Sequence, residues 1–231
     1  PAASIEQHDG RAIRMAQALG ADLAHMDATE VAFLIDPQQT VRGGVLVNGF
    51  GQRYVPEDMY SGRIGQLTLY RQDDTAYLII DGDAQEEAMA ATSATPPFLK
   101  RPATWVCDTV AELEAEIGLP VGSLQATIGA YNEAAVRGED PLLHKKPEWI
   151  KPVGTPVGAI DLRASCGGFT LGGLMTSLDG EVIHVSGEPI PGLFAAGALH
   201  RRAGGLGYAS GISLGDGSFY GRRAGRAASI A

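Results

Sequence analysis

The glycine-rich segment near the C-terminal end of the chain constrains its fold more than any other feature. The stretch GGLGYASGISLGDG, Gly204 to Gly217, holds six glycines in fourteen residues and runs directly into SFYGRRAGRAA. Gly217, Gly221 and Gly225 recur every four residues, which places them on one face of a helix. Each costs about 1 kcal/mol relative to Ala in a helix interior. We therefore predict that this face packs closely against a sheet or a flat ligand, and that the helix N-terminus offers unpaired N–H groups to an electron-rich acceptor.

Two other interpretations of this segment compete with the first. Clusters of glycine usually mark surface turns, so a plain surface loop is one alternative. The string from Gly211 to Gly215, GISLG, also matches the GxSxG nucleophile elbow of hydrolases. That elbow needs a buried strand before the serine and a histidine after it. AGGLGYAS is not such a strand and no histidine follows Ser213, so the hydrolase interpretation is disfavoured.

The charge balance and the cysteines exclude several function classes. Acidic residues outnumber basic ones 27 to 18, and a net charge of −9 repels nucleic acid and anionic membranes. Cys107 and Cys166 form no CxxC pair, and the histidines have no metal-ligand spacing, so we predict neither a disulfide framework nor a metal site. No basic segment precedes an apolar run, and about 18 consecutive apolar residues occur nowhere. We expect a cytoplasmic protein with no membrane span and no nucleic-acid partner.

Hydrophobic periodicity and turn signals predict an α+β organisation for the first part of the chain. Apolar residues at helical spacing predict a helix from Asp9 to Leu19. GGVLVNGFGQRYV predicts two strands about an Asn48-Gly49 turn, and TAYLIID predicts a further strand. The pair Glu57-Asp58 is expected in an exposed turn.

Two short helices are predicted in the middle of the chain. Thr109 and Glu112 form a capping-box pattern for VAELEAEIG, which Gly118 terminates. Ser123 is the expected start of a second helix, SLQATIGAYNEAAVRG. HKKPEWIKPVGTPVG is rich in Pro and Lys, which predicts an extended connector and a domain boundary near it.

Several motifs together carry a family resemblance. PIPGLFAAGAL, a glycine-rich loop and SGISLGDGSFYGRRAGRAA resemble the C-terminal part of the flavoproteins grouped with fumarate reductase and the 3-ketosteroid dehydrogenases. DGRAIRMAQALGADL is similar to the helix before the substrate-binding cap domain of that family. GGVLVNGFGQRYVPED is similar to the first hairpin of the cap, and GGFTLGGLMTSLDGEVI to the return into the flavin domain.

The resemblance implies an α/β plus α+β fold and FAD as the cofactor. Part of a Rossmann-like FAD-binding domain is expected at 1–36 and 164–231, with an α+β cap domain at 37–163. In that family the last helix points its N-terminus at the flavin, so the backbone around Ser213 and Leu214 would face the pyrimidine edge of the ring. Charge that develops there on reduction would be stabilised. The resemblance also implies that the cofactor is bound by Gly197, Ala198 and Gly211.

The resemblance also implies an uncharged substrate. The dicarboxylate-reducing members have an Arg where this chain has Tyr208, and a catalytic Arg where it has Tyr60. They also have a His-rich motif where this chain has GFT around Phe169. The loss of these carboxylate-binding groups argues for an apolar ketone, with Phe169 and Gly211 contacting the substrate.

The string Tyr208-Ala209-Ser210-Gly211 is close to the arrangement in dehydrogenases that act next to the 3-keto group of a 5α-steroid. In those enzymes hydride leaves a β carbon for flavin N5, while a proton leaves the α carbon beside the ketone. Tyrosine serves as a base because the ketone acidifies that C–H and because a relay lowers the cost of the phenolate. Tyr60 and Tyr208 are the candidates for the proton-abstracting pair, and Ser210 for the relay.

Simpler roles exist for each of these residues. Tyr60 and Tyr208 also fit the description of half-buried aromatics with a satisfied hydroxyl. Ser210 could cap the last helix, the commoner task of a serine just before one. Arg63 is an alternative catalytic residue if the cap aligns differently, although a solvated surface Arg is the more usual interpretation.

The dinucleotide-binding fingerprint of the family is absent. GxGxxG after a strand is missing, and the nearest string, Gly205-Leu206-Gly207, has Ser210 in place of the third Gly. We therefore expect an N-terminal FAD-binding segment before Pro1, and a 231-residue chain that neither retains FAD tightly nor turns over. Two alternatives remain: a fumarate-reductase-like enzyme for a small unsaturated acid, and a non-catalytic ligand-binding module.

Overall fold

The computed structural model describes residues 8–33, 35, 38–90, 101–197, 200–201, 208 and 211–230. The chain forms two compact units. The first, which we call the discontinuous unit, takes its described residues from Pro1–Glu30 and Gly168–Ala231, and the second, the central unit, is Val31–Gly167. The chain passes between them in two strands, β2 (Thr29–Phe33) and β7 (Cys166–Thr170), which pair with each other.

The central unit is built on an antiparallel sheet. Its strands, in the order β3-β4-β6-β5, are β3 (Val45–Val47), β4 (Tyr77–Asp81), β6 (Val157–Asp161) and β5 (Trp105–Cys107). The predicted strand in TAYLIID is β4, which pairs with β6 from Tyr77 opposite Asp161 to Asp81 opposite Val157. Its YLII run is apolar without alternation because both faces are covered: Leu78 and Ile80 belong to one core cluster and Ile79 to another.

Helices cover both faces of this sheet. They are α2 (Gln38–Gly43), α3 (Ser61–Arg71), α4 (Gly82–Ala90), α5 (Val110–Ile117) and α6 (Ser123–Ala135), with a short 3-10 helix at Pro147–Trp149. Ile64 of α3 is buried in the cluster that contains Leu78. On the opposite face, Leu113 of α5 and Leu124 and Ile128 of α6 are buried with Ile79. Each buried apolar side chain of this size contributes roughly 1.5–3 kcal/mol.

The ends of α5 and the start of α6 follow the sequence prediction. The capping box is present: Thr109 Oγ1 accepts the Glu112 N–H at 3.2 Å and Glu112 Oε2 accepts the Thr109 N–H at 3.1 Å. The predicted start of α6 at Ser123 is confirmed, and Gly122, in a left-handed conformation, is its N-cap residue. The carboxylate of Glu114, from α5, accepts the N–H groups of Gly122 and Leu124 at 2.6 and 2.7 Å.

Two other expectations need correction. After Asn48 the chain forms a turn held by the Asn48 side chain, and the predicted second strand is reduced to a single bridge between Arg53 and Val47. The segment expected to be an extended connector contains the short 3-10 helix and the beginning of β6. That strand lies in the central sheet because its backbone completes the hydrogen bonds of β4 and β5.

The discontinuous unit combines short strands with two helices. Its elements are α1 (Arg11–Gln17), β1 (Leu23–Ala24), β8 (Gly173–Met175), β9 (Glu181–Ile183), β10 (Pro189–Phe194), β11 (His200–Arg201) and α7 (Ile212–Ala228). β8 lies between β1, antiparallel, and β11, parallel, while β9 and β10 form a hairpin. The predicted N-terminal helix is confirmed as α1, and its residue Ala16 packs in a core cluster with Leu174 and Val182.

Candidate functional site

The predicted cofactor-binding helix tip is the beginning of α7. Gly211 is the N-cap with a φ of 92°, a conformation that favours glycine, and a Cβ added there would meet nothing within 4 Å. No described side chain caps this end of the helix. Gly211 holds the N-cap position, and Ser210, proposed as an alternative cap of this helix, lies outside the described residues. The first-turn N–H groups of α7 are thus left without a capping side chain within the described structure.

Tyr208 lies beside two other predicted site residues. Its phenol oxygen accepts a hydrogen bond from Ser213 Oγ at 3.0 Å. Its ring meets the ring of Phe169 edge to face, with 5.1 Å between centroids and 87° between planes. Tyr208 is half-buried. The Phe169 ring, the Tyr208 phenol and a hydroxyl on the first turn of α7 therefore form one cluster.

The side chain of Ser213 makes a hydrogen bond that sequence reasoning missed. We predicted Ser213 only as backbone at the flavin edge and gave the proton relay to Ser210. The observed bond joins Ser213 to a residue five positions earlier, across the start of the helix. The sequence did contain a signal for this contact: a serine in the first turn of a helix that begins directly after a glycine.

Gly197 also approaches α7, whereas Ala198 lies outside the described residues. A Cβ added to Gly217 would lie 3.9 Å from Gly197 Cα, so the two glycine backbones run close to each other. Gly221 and Gly225 differ from the prediction for the glycine face, since a Cβ at either would meet no described atom within 4 Å. Among the described residues, Gly217 therefore makes an ordinary van der Waals contact with Gly197, and close packing does not explain the other two glycines.

The rest of α7 is largely exposed. Ala224 is its one buried residue, and Gly180 packs against it so closely that a Cβ at Gly180 would lie 2.5 Å from Ala224 Cβ. An ion pair between Arg223 and Asp179 at 2.8 Å joins the helix to the turn before β9. Several apolar side chains remain exposed on or just beyond the helix, namely Ile212, Leu214, Phe219 and Ile230. Beside them an open groove of about 930 Å³ is lined by residues that include Phe194, Gly215, Phe219 and Ile230.

Tyr60 belongs to the central unit, where it is the N-cap residue of α3. Its carbonyl accepts the N–H groups of Arg63 and Ile64 at 2.9 and 3.1 Å, and 39% of the residue is exposed. Arg63, the alternative catalytic candidate, is exposed. Close packing fixes α3 itself: a Cβ added to Gly65 would lie 2.4 Å from the carbonyl oxygen of Val31 in β2.

Glu57, expected in an exposed turn, is buried, and that expectation is wrong. Only 1% of Glu57 is exposed, and its carboxylate is paired with Arg53 and Lys145. Arg53 lies only four residues before Glu57, but Lys145 comes from a loop far along the chain, so local pattern did not predict this burial.

Metal and membrane features are absent from the described part of the chain. Its His, Cys, Asp and Glu side chains form no group of three or more suited to a metal ion. Within the same residues, every helix is too short or too polar to span a bilayer.

Comparison with known proteins places the chain in a flavoprotein family. The family model described as FAD binding domain matches residues 2–214, so the chain belongs to this family, and the predicted family and cofactor are confirmed. A solved structure, 3-ketosteroid-delta4-(5alpha)-dehydrogenase from Rhodococcus jostii RHA1 in complex with 4-androstene-3,17-dione, is 64% identical, with a TM-score of 0.89. It matches over 99% of this chain and 47% of its own, and it confirms the predicted mixed α/β and α+β fold class.

Two curated proteins extend the comparison. The 3-oxo-5-alpha-steroid 4-dehydrogenase of Comamonas testosteroni is 29% identical over 82% of this chain and 39% of its own length. The NADH:acrylate oxidoreductase of Vibrio harveyi is also 29% identical, over 95% of this chain and 23% of its own. The chain thus spans less than half the length of each of these proteins.

Proposed function

We propose that this chain supplies the substrate-binding cap and the closing segment of the flavin domain of an FAD-dependent dehydrogenase acting on a 3-ketosteroid-like ketone. The observation that carries the proposal is the 64% identity, over 99% of the chain, to a ketosteroid dehydrogenase solved with a steroid ketone. Residues 37–163 are assigned to the cap, and 1–36 with 164–231 to the FAD-binding domain. The reaction removes two hydrogens from adjacent carbons, one of them next to the ketone.

Tyr208 and Tyr60 take the proton from the α carbon in this proposal. The Ser213 hydroxyl, 3.0 Å from the Tyr208 oxygen, supports a route by which a proton received by the phenol moves on, and Ser210 is proposed as a second member of that relay. The Phe169 ring, edge-on to Tyr208, forms an apolar wall beside the phenol. An apolar wall and a phenol suit a ketone, because neither offers a cation to a carboxylate substrate.

The residues at the start of α7 fit the flavin. When bound, FAD supplies the acceptor for the hydride that leaves the β carbon. No described side chain caps the first-turn N–H groups, and together with the open space at Gly211 and the exposure of Leu214 this supports access of an electron-rich ring edge to this helix end. Gly197 and Ala198 are proposed to contact the cofactor from the loop after β10.

The activity is proposed for a longer protein, because the chain spans only part of each relative. The exposed apolar residues of α7 lie beside the open groove. In this proposal an N-terminal FAD-binding segment covers both. We predict that the purified 231-residue chain carries no visible flavin absorbance, whereas the complete flavoenzyme that contains it does. Flavin bands of stoichiometric intensity in the short chain would contradict this part of the proposal.

A same-fold alternative is reduction of a small unsaturated acid, favoured by the similarity to NADH:acrylate oxidoreductase. It is disfavoured by Tyr60 and Tyr208, which stand where the carboxylate-binding members have Arg. Dye reduction by the complete enzyme with a panel of 5α-3-ketosteroids and of saturated short-chain acids separates the two. We expect turnover with the steroids alone. Turnover confined to the acids would replace the proposed substrate class.

A further inference from the structure

Four charged side chains lie buried together in the central unit. They come from parts of the chain that are remote in sequence from Tyr208. Arg53, Glu57, Asp140 and Lys145 have side-chain exposures between 0% and 3%. Two cations face two carboxylates, so the group is neutral overall. We call these four residues the buried quartet.

Glu57 is the most fully engaged member of the quartet. Its Oε1 accepts the backbone N–H of Leu46 in β3 at 3.0 Å and Arg53 Nε at 2.9 Å. Its Oε2 accepts Arg53 Nη2 at 2.8 Å and lies 3.4 Å from Lys145 Nζ. The carboxylate therefore fixes the turn that carries Glu57 to the central sheet and to two cations at once.

The other carboxylate joins the quartet to the loop after α6. Asp140 receives two hydrogen bonds of 2.9 Å from the guanidinium of Arg53, and its Oδ2 accepts the Lys145 N–H at 3.2 Å. Lys145 Nζ donates to the carbonyl of Gly44 at 2.7 Å. Burial opposes the charge of Asp140, but the hydrogen bonds from Arg53 outweigh it and hold its pKa below the ordinary value.

Such a group is a poor device for stability alone. Removing charges from water costs as much as their attraction returns, and well-packed apolar residues often serve equally well. What the quartet does provide is a fixed geometry for the backbone segments it joins. Tyr131 adds to this, because its ring lies 4.8 Å from the Arg53 guanidinium and 5.6 Å from Lys145 Nζ.

The turn fixed by the quartet leads directly to Tyr60. Met59 N–H donates to the Pro56 carbonyl at 3.0 Å, so the residues between Glu57 and Tyr60 form a tight turn. The neighbouring Asp58 accepts the Lys146 N–H at 3.3 Å, a second tie to the same loop. Tyr60 then begins α3 as its N-cap residue. Only two residues, Asp58 and Met59, thus separate the buried carboxylate from the phenol-bearing residue.

We propose that Glu57, held by Arg53 and Lys145, is a positioning residue for Tyr60. By fixing the turn before α3, the buried quartet sets the position and orientation of the Tyr60 phenol. This inference rests on the proposed function, since it takes Tyr60 as a member of the proton-abstracting pair. A catalytic group displaced by about 1 Å loses as much as 100-fold in rate. Loss of the Glu57 carboxylate therefore slows the chemical step while the substrate-binding contacts elsewhere remain.

A double-mutant cycle in the complete flavoenzyme tests the proposal. Glu57→Gln, Tyr60→Phe and the double variant are compared with wild type by anaerobic reduction of the bound flavin at saturating 5α-3-ketosteroid, per mole of bound flavin. We expect Glu57→Gln to slow reduction roughly 10- to 100-fold with a smaller change in KM. In the Tyr60→Phe background the same substitution changes the rate by less than about twofold, because no phenol remains to position.

A charge-balanced variant covers the case in which Glu57→Gln does not fold. Glu57→Gln with Lys145→Met leaves one cation, Arg53, against one carboxylate, Asp140, and enters the same cycle. Glu114→Gln is the matched control, since Glu114 is also a buried carboxylate that accepts backbone N–H groups, at the start of α6. We expect it to lower stability and leave the reduction rate unchanged with either residue at position 60.

The outcomes separate this inference from the proposed function. An equal loss from Glu57→Gln with Tyr60 and with Phe at position 60 overturns the positioning role and assigns the quartet to stability alone. A Tyr60→Phe enzyme as fast as wild type removes Tyr60 from the catalytic pair, and the positioning role falls with it. Loss of the rate in Tyr60→Phe, with no change in Glu57→Gln, overturns the positioning role and leaves the proposed function intact.

Discussion

Gly65 gives a sharp test of how α3, the helix that begins at Tyr60, is held in place. A Cβ at this position would lie 2.4 Å from the carbonyl oxygen of Val31, 2.7 Å from its carbonyl carbon and 2.8 Å from Ala32 Cα. All three atoms are backbone, so no side-chain rotation relieves the clash. Gly65→Ala therefore forces the helix away from β2.

The magnitude follows from two opposing effects. Alanine in a helix interior gains about 1 kcal/mol over glycine. Overpacking of a close contact costs about 1–3 kcal/mol, and a clash with backbone belongs at the upper end of that range. We expect Gly65→Ala to lower the free energy of unfolding of the central unit by about 2 kcal/mol. Gly129 in α6 is the matched control, because it is exposed and a Cβ there meets nothing within 4 Å.

Urea unfolding of the 231-residue chain measures both variants. Both tryptophans, Trp105 and Trp149, lie in the central unit, so their fluorescence reports on the unit that contains Gly65. Gly129→Ala should raise the urea midpoint at unchanged slope, which corresponds to a gain of up to about 1 kcal/mol in the free energy of unfolding. Gly65→Ala should lower the midpoint. If both variants raised the midpoint equally, the contact between α3 and β2 would not be as close as described, and the reasoning would be refuted.

Two further perturbations follow from the same structure. Gly221→Ala and Gly225→Ala should each stabilise the 231-residue chain by up to about 1 kcal/mol, because their Cβ positions are open among the described residues, yet lower the melting temperature of the complete flavoenzyme. Stabilisation in both proteins, measured by thermal unfolding, would contradict a packed glycine face. Burial alone would raise the pKa of Glu114, but N–H donors from Gly122, Leu124 and Gln125 outweigh it and lower the pKa. Glu114 thus contributes stability that is present above about pH 4.3, the ordinary value, and is lost as the pH falls through the lower folded pKa. The difference in urea midpoint between wild type and Glu114→Gln should shrink from pH 7 to pH 3, and a constant difference would refute this.

Local signals in the sequence predicted local structure well. The capping box of Thr109 and Glu112 was found because both partners lie within one turn. The start of α6 at Ser123 was predicted correctly, but the carboxylate that caps it, Glu114 of the preceding helix, was missed. Only tertiary packing brings that carboxylate to Gly122, and no pattern within a single helix encodes it.

The candidate site shows the same difference between features set by local sequence and features set by tertiary packing. The open N-terminus of α7 was predicted because the run of glycines leads directly into a helical pattern, but its N-cap residue, Gly211, was not predicted. The Ser213 to Tyr208 hydrogen bond was missed because it depends on the path of the loop between them. Burial of Glu57 was missed for a similar reason, since Asp140 and Lys145, the other acidic and basic members of the quartet, come from a loop far along the chain.

The most direct test of the central claim is the effect of Tyr208→Phe on flavin reduction in the complete enzyme. The substitution keeps the ring contact with Phe169 and removes only the hydroxyl that Ser213 contacts. We predict that anaerobic reduction by a 5α-3-ketosteroid slows by about 100-fold or more with an unchanged flavin spectrum, while Tyr70→Phe, at an exposed tyrosine of α3, retains the wild-type rate. A Tyr208→Phe enzyme that reduces its flavin within about twofold of the wild-type rate would contradict the account, since general acid–base groups contribute at least about 100-fold.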